Sequence, residues 1–513
     1  MKKHFINVRI IALHLLFAAC VLVAGCSKKK ETTPDNTNTG GGTSKVDSTA
    51  VTTGTAEGST DIGANTDDVL DPTIFPTAIS IAFSGTSATI TPATTKNVTI
   101  TQTNGDVVIT ATATGVAYTV SGTTTNGSVK IYSDKKFTVT LNGANITNLD
   151  GPAINIQSSK RMFLILADGT TNTLADGPTY ATSTEDQKGT FFAEGQVIFT
   201  GKGSLTVAGN YKHAICSDDY IRISSGNITV TNSISDGIHT NDQFIMDGGT
   251  LKITAGSDGI ETEEGSMIFN DGNVNITATT GDGIKASYEG TDVTIIPYIN
   301  INGGTINVSA PSNEGISSKN AIAINKGNVA STASDDAFSA ATAININGGY
   351  VYAFSKANDA MDSNGTFTLT GGTVVAIGSP APESSIDCNA NVFKITGGQL
   401  VGVAGTTSGP STTSTINSVI LGSGTAQIIH IEAADGTEAL TFQSPIAYGT
   451  LVYASAKLKD NTAYNIYTGG SMASGTGLKG LFTSGTYTRG TKSATTFTTS
   501  TRVTKVGGTI STN

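Results

Sequence analysis

The chain has 513 residues, no tryptophan, 14% charged residues, and 40 Asp and Glu against 30 Lys and Arg, a formal net charge of −10. That balance excludes an electrostatic grip on nucleic acid, whose phosphates demand a basic face. Thr, Ser, Gly, Asn, Ile and Val dominate and no long stretch carries a helical apolar period, so a helical bundle is excluded and an all-β fold is expected.

Residues 1–25 read as an export signal. Lys2, Lys3 and Arg9 lead into an apolar run from Ile10 to Val23, too short for a stable membrane span. The run ends in Leu22-Val23-Ala24-Gly25-Cys26, which resembles the lipobox of bacterial lipoproteins. The resemblance implies cleavage before Cys26, acylation of Cys26 and a lipid anchor in the cell envelope, expected at the outer membrane. Each acyl CH₂ buried in the bilayer contributes roughly 0.8 kcal/mol. Cleavage removes three positive charges and no acid, leaving 27 Lys and Arg against 40 Asp and Glu, a formal charge of −13.

Residues 26–75 begin with Ser27-Lys28-Lys29-Lys30 and continue in Thr, Gly, Asn, Asp and Ser with almost no large apolar groups. Such a segment cannot offset its ordering entropy and is expected to be a disordered tether. A folded region over 76–410 follows, its first part to about residue 135 expected to cap the open end.

The folded region repeats itself. Ser225-Gly226, Gly248-Gly249, Asp271-Gly272, Gly303-Gly304, Lys326-Gly327, Gly348-Gly349, Gly371-Gly372 and Gly397-Gly398 have second members 23, 23, 32, 23, 22, 23 and 26 residues apart. A second signal runs in phase: Asp236-Gly237-Ile238, Asp258-Gly259-Ile260, Asp282-Gly283-Ile284, Glu314-Gly315-Ile316, Asp336-Ala337-Phe338 and Asp359-Ala360-Met361. A period near 22–23 residues holds three short strands and three turns. One such unit cannot bury its apolar face alone, whereas stacked units can. The prediction is a right-handed parallel β-helix whose Ile238, Ile260 and Ile284 lie above one another. The 32-residue interval places a loop of roughly nine extra residues around Ser287 to Pro297. Cys216 and Cys388 fall about seven coils apart, on the order of 34 Å at ~4.8 Å per coil, so both should be buried with no disulfide between them.

From about Ala78 onward the chain resembles a bacterial carbohydrate-binding β-helix family, similar in fold to the pectate lyases of polysaccharide lyase family nine. The resemblance is carried by Leu141-Asn142-Gly143-Ala144-Asn145-Ile146-Thr147, Ala167-Asp168-Gly169-Thr170-Thr171-Asn172-Thr173-Leu174, Ser217-Asp218-Asp219, the serial Asp-Gly-Ile turns and Gly281-Asp282-Gly283-Ile284-Lys285-Ala286. It implies polysaccharide as partner, of cellulose-like or pectin-like chemistry, and bound calcium.

In a β-helix, residues of equal phase form columns. One column reads His213, Asp236, Asp258, Asp282, Glu314, Asp336 and Asp359; six residues later a second reads Asp219, Asp242, Glu264 and Tyr288, flanked by Asp218 and Glu263. Stacked carboxylates repel unless they are protonated, splayed into water or neutralised by a cation. Calcium, which takes six to eight oxygens in flexible geometry, is the expected counter-ion. The best local sets are Asp335, Asp336, Asp359 and Asp362, and Asp258, Glu261, Glu263 and Asp282. The alternative for each single Asp is a hydrogen bond within its own turn. His213 and His239 have no second His or Cys at metal spacing and are expected at the surface or in turns.

Lys285 is the candidate base, because lyase chemistry on a uronate needs a cation to acidify a C–H and a basic side chain to take the proton. The competing expectation is a cross-strand ion pair with Glu261, one coil earlier at the same phase. Lys319 is a weaker candidate for substrate binding. Tyr350 and Tyr352 alternate with Phe354 on one strand and are candidates for a sugar platform if that face is outward, with Phe354 expected in the core.

The period is lost after Thr406, and 411–513 is expected to be a β cap or small β domain. Three functions compete: calcium-assisted, non-catalytic polysaccharide binding by an envelope lipoprotein, which leads; a calcium-dependent lyase using Lys285; and an adhesin-like structural protein. The chain is expected to be monomeric.

Overall fold

Each repeat supplies three short strands, and each strand stacks in parallel on its counterpart one coil away. The strands of one coil are Ile238–Thr240, Phe244–Met246 and Thr250–Ala255; those of the next are Ile260–Thr262, Met267–Phe269 and Asn273–Ala278. The computed structural model, which describes residues 42–47, 51–389 and 392–511, winds them into a parallel β-helix of about 13 turns. Ile238 pairs with Ile260 and Ile260 with Ile284, as the repeat predicts. The column continues through Ile316, Phe338 and Met361, and all six side chains are completely buried. Truncating any one of them to alanine would cost about 2–5 kcal/mol.

The corner between the second and third strands explains the glycine pairs. Gly249 has φ +83°, and a Cβ there would lie 2.4 Å from the Gly226 carbonyl oxygen. Only glycine satisfies both the left-handed backbone and the close approach of stacked corners.

A ladder of amides runs up the same corner. Asn270 donates to Asp247 at 2.8 Å, Asn302 to Asn270 at 2.9 Å, Asn325 to Asn302 at 2.8 Å and Asn347 to Asn325 at 2.8 Å. The second N–H of each Asn finds a partner in a segment 208 to 290 residues away in the chain. Asn347 donates to the carbonyl of Glu57, Asn325 to Ser59, Asn302 to Asp61 and Asn270 to Ile62. Arg222 continues the series to Gly63 O at 2.6 Å. Residues 52–68 thus run along the coils, from Thr52, which accepts from the Gly398 N–H, to Asp68, buried between Arg161 and Arg222 at 2.9 and 3.2 Å. The tether expected over 26–75 is therefore corrected for its second half: residues 51–75 form an ordered strap. Its order comes from backbone carbonyls meeting ladder amides, which composition does not register. The export signal, Cys26 and the first part of that segment lie outside the described residues.

Both ends of the β-helix are closed by antiparallel β-structure. At the start, Thr77–Ser84 pairs with Ser87–Thr91 and Val98–Thr103 with Gly105–Ala111. At the finish, Thr450–Ser455 runs antiparallel to Gln399–Ala404. A further sheet then folds over the outside, and Thr43–Val46 adds to it beside Leu481–Thr488. This sheet buries Val375, Ile377, Val401 and Val403 on the outer face of the last coils. Phe354 lies on that outer face under the C-terminal sheet, because Val351 and Ala353 take the inward positions. Its expected place in the solenoid core is thereby corrected. Cys216 and Cys388 are buried and form no disulfide.

Replacing Asn347 by Leu would leave the Glu57 carbonyl and N–H and the Thr370 hydroxyl without their partner. The expected loss is about 1–3 kcal/mol, read as a lower urea midpoint at unchanged slope. An unshifted midpoint would remove the ladder from the account of stability.

Candidate functional site

The acidic column lies at the turn that enters the first strand of each coil, and its carboxylates bond between coils. The Asp258 N–H donates to Asp236 Oδ1 at 3.1 Å, Asp282 N–H to Asp258 Oδ1 at 2.6 Å and Asp359 N–H to Asp336 Oδ1 at 3.0 Å. His213 is the first rung, its Nδ1 lying 3.4 Å from the Asp236 N–H. The expected bond within each Asp's own turn is thus replaced, for these residues, by one to the neighbouring coil, since stacking brings that N–H closer.

Asp236, Asp258, Asp282, Asp336 and Asp359 are all buried. Burial raises the carboxyls of Asp258 to about 6, Asp282 to about 7, Asp336 to about 9 and Asp359 to about 7, and neighbouring carboxylates push the same way. Asp362, in the next column, is raised to about 6 by burial and by Asp387, Glu314 and Asp335. Asp282 Oδ1 is buried without a hydrogen-bond partner. Unsatisfied, stacked oxygens of this kind fit a hard divalent cation. Asp258, which shares a donor set with Asp236 and Glu261, could hold one, and Asp282 adds its unpartnered Oδ1 one coil on.

At the other end of the column the acids find cations of the protein's own. Lys285 Nζ lies 2.6 Å from Glu261 Oε1 and 3.4 Å from Asp258 Oδ2. The pair with Glu261 is the cross-strand contact expected from phase. Burial opposes the charge on Lys285, but the carboxylates outweigh it and hold the ammonium above the usual lysine range. His213 and His239 are both buried, which corrects their expected surface positions; the acids stacked around them make that burial tolerable. Both Nδ1 atoms lie 3.0 Å from Asp236 Oδ2, and His239 also meets Glu261 at 3.4 Å and Glu263 at 3.6 Å. The two rings stack at 4.2 Å. Burial alone would lower His239, yet Asp236, Glu261 and Glu263 push it up to about 11. Burial keeps His213 below the usual imidazole value.

Among the described residues, three donor sets have ligand atoms within 4.8 Å: His213–Asp236–His239, His239–Glu261–Glu263 and Asp236–Asp258–Glu261. Asp335, Asp336, Asp359 and Asp362 do not appear among these sets. Asp218 is paired with Lys188 at 2.7 Å, and Asp219 stacks on Asp242 and takes a bond from Gln196.

The inserted loop shapes the surface beside this column. Glu263, Glu264, Lys285, Tyr288 and Glu289 line a groove of about 410 Å³. Across the loop, Lys319, Asn320 and the exposed Val293 and Ile296 line a second depression of about 470 Å³. Lys285 and Lys319 therefore serve different surfaces. The tyrosine pair lies elsewhere. Tyr350 is 50% exposed and, with Asn328, Gln399 and Phe482, lines a cleft of about 390 Å³ against the C-terminal sheet. Tyr352 is covered by Lys479 at 4.9 Å from its ring centre.

The two histidines and the amide ladder are what sequence reading missed. The signal for the first was present, since His213 shares the phase of the Asp column. For the second it was an Asn or Asp two residues before five successive corner glycines: Asp247, Asn270, Asn302, Asn325 and Asn347.

A family model described as carbohydrate-binding domain-containing protein matches residues 103–380 and 298–512. A carbohydrate-binding domain-containing protein of Acetivibrio thermocellus is 34% identical over 118 residues, covering 22% of this chain and 41% of that protein. The chain thus matches about two fifths of the length of that relative. A solved structure described as the polysaccharide lyase-like protein from C. thermocellum, a gadolinium derivative, is similar at 23% identity and a TM-score of 0.40, covering 57% of this chain and 96% of that one.

The raised carboxyls set a pH dependence. Their folded values lie above the ordinary 3.8, so the folded state binds more protons than the unfolded state between these limits. The stability they contribute is complete below about pH 4 and is lost as pH rises through about 6 to 9. In chelator, the melting temperature should fall from about pH 5 to about pH 9, and Asp336→Asn should reduce that fall. A flat or rising profile would contradict the assignment.

Proposed function

Because this chain belongs to the carbohydrate-binding domain-containing protein family, we propose that it binds cell-wall-type polysaccharide, cellulose-like or pectin-like, with calcium as the bridging ion and without cleaving it. The observation that carries the reading is the stack of buried carboxylates at Asp258 and Asp282, with one oxygen unpartnered, beside an open groove. A chain of this net charge repels polyuronate. A divalent cation on Asp258 and Asp282 would cancel their two charges and leave coordination positions for uronate or hydroxyl oxygens. The cleft at Tyr350, which Asp47 and Lys457 also line, offers the complementary chemistry: an aromatic face with the amides of Asn328 and Gln399, suited to a sugar ring. We propose further that the lipid on Cys26 holds the protein at the outer membrane of the envelope.

The non-catalytic reading rests on Lys285. A general base must be able to shed its proton near the working pH, and Glu261 and Asp258 hold this ammonium charged. The lyase reading is favoured by the same juxtaposition: calcium taking both carboxylates would strip Lys285 of the partners that keep it protonated.

Affinity electrophoresis of the purified protein in gels containing polygalacturonate or soluble cellulose derivative checks the proposal. Retardation by polygalacturonate in calcium should weaken by about tenfold or more in EGTA, and Asp258→Asn with Asp282→Asn should reproduce the EGTA result. Equal retardation in EGTA would remove calcium, and none in any glycan would remove the binding function. Appearance of unsaturated uronides, abolished by Lys285→Ala, would establish the lyase instead.

A further inference from the structure

The first rungs of the acidic column differ chemically from the rest, because two imidazoles enter them. Calcium and magnesium select oxygen, whereas imidazole nitrogen suits zinc, copper, iron and nickel. His213, Asp236 and His239 come from two adjacent coils and Glu261 from the third. The described part of the column supplies no further imidazole in later coils, where Lys285 and then hydroxyl groups follow His239 and Glu261 in register.

Three observations point to a bound cation. The first is spacing. A tetrahedral zinc site with bonds of about 2.0–2.2 Å sets neighbouring donor atoms roughly 3.3–3.5 Å apart. Here Asp236 Oδ2 lies 3.0 Å from each Nδ1, and His239 Nδ1 lies 3.4 Å from Glu261 Oε2. The donor atoms of His213, Asp236 and His239 all lie within 4.8 Å of one another, and the two edges through Asp236 Oδ2 are within a few tenths of an ångström of such a site.

The second is His213 itself, whose side chain is 2% exposed. Its Nδ1 faces an N–H donor, that of Asp236 at 3.4 Å, and a carboxylate acceptor, Asp236 Oδ2 at 3.0 Å. No neutral tautomer suits both. With Nδ1 bare, two lone pairs confront each other; with Nδ1 protonated, the Asp236 N–H loses its acceptor. A positive charge between Nδ1 and Oδ2, metal ion or proton, removes the first conflict and leaves the Asp236 N–H without its acceptor. The third is His213 Nε2, which is buried and has no hydrogen-bond partner. Nδ1 is therefore the nitrogen through which polar neighbours hold this buried ring.

We propose that His213, Asp236 and His239 form a site for one divalent transition-metal ion of the zinc class, with water completing the coordination. The metal ties two successive coils together. The site adjoins the carboxylates of Asp258 and Glu261, whose donors lie within 4.8 Å of those of Asp236, and differs from a hard-cation site by its two imidazoles; it stands whether or not the protein binds glycan.

Calorimetric titration of the chelator-treated full chain with Zn²⁺, and separately with Ca²⁺, tests it. About one equivalent of Zn²⁺ should bind, and a tenfold excess of Ca²⁺ should not displace it. Co²⁺ should give the visible absorption of a four-coordinate nitrogen and oxygen site. His239→Gln and His213→Ala should each weaken Zn²⁺ binding by at least about tenfold, while Asp336→Asn leaves it unchanged. Circular dichroism of each variant shows whether it folds, and the His239→Gln isostere serves if His213→Ala does not. Failure of the wild-type chain to take up Zn²⁺ stoichiometrically, or equal uptake by folded His239→Gln, overturns the proposal.

Discussion

A strand in this molecule can satisfy its backbone only through the coil above and the coil below, and that obligation sets residues of equal phase about 4.8 Å apart. Everything else follows from like sitting over like. An apolar phase becomes the Ile238–Ile260–Ile284 core column. An amide phase becomes a hydrogen-bonded ladder, because an amide carries both donor and acceptor and can pass the bond onward. An acid phase becomes a problem, because a carboxylate has only acceptors. The fold answers by turning one oxygen of several acids toward the N–H of the next coil.

The remaining charge is handled differently along the column. Toward its first coils, His239 and Lys285 supply positive charge among Asp236, Asp258, Glu261 and Glu263. From Asp282 to Asp359, the described carboxyls instead hold their protons more tightly. One column thus contains a self-neutralised stretch and a stretch with appetite for protons or cations, and the groove lies where the two meet. On a rigid frame these two stretches stand at fixed heights along the molecule.

What could be read beforehand was whatever depends on phase alone. The core column, the inserted loop and the Glu261–Lys285 pair all follow from counting residues between repeats. What could not be read depends on surfaces brought from outside the repeat. Composition marked residues 51–75 as unable to bury a core, which is true, but their carbonyls meet a preformed row of amides. Phe354 alternates with small residues in the usual way, and only the sheet contributed by residues a hundred positions later determines that its outward face is covered. The histidines were misplaced because metal-site spacing was sought along the chain, whereas their partners lie one coil away.

The strap also gives the molecule a mechanical polarity. Chain preceding residue 43 enters at the C-terminal sheet, through Thr43–Val46 beside Leu481–Thr488, before the strap descends toward the first coils. Tension applied ahead of that point loads a short antiparallel strand lengthwise, all its rungs at once. The rungs of the strap behind it stay unloaded until that strand slides, after which they open one by one like a zip.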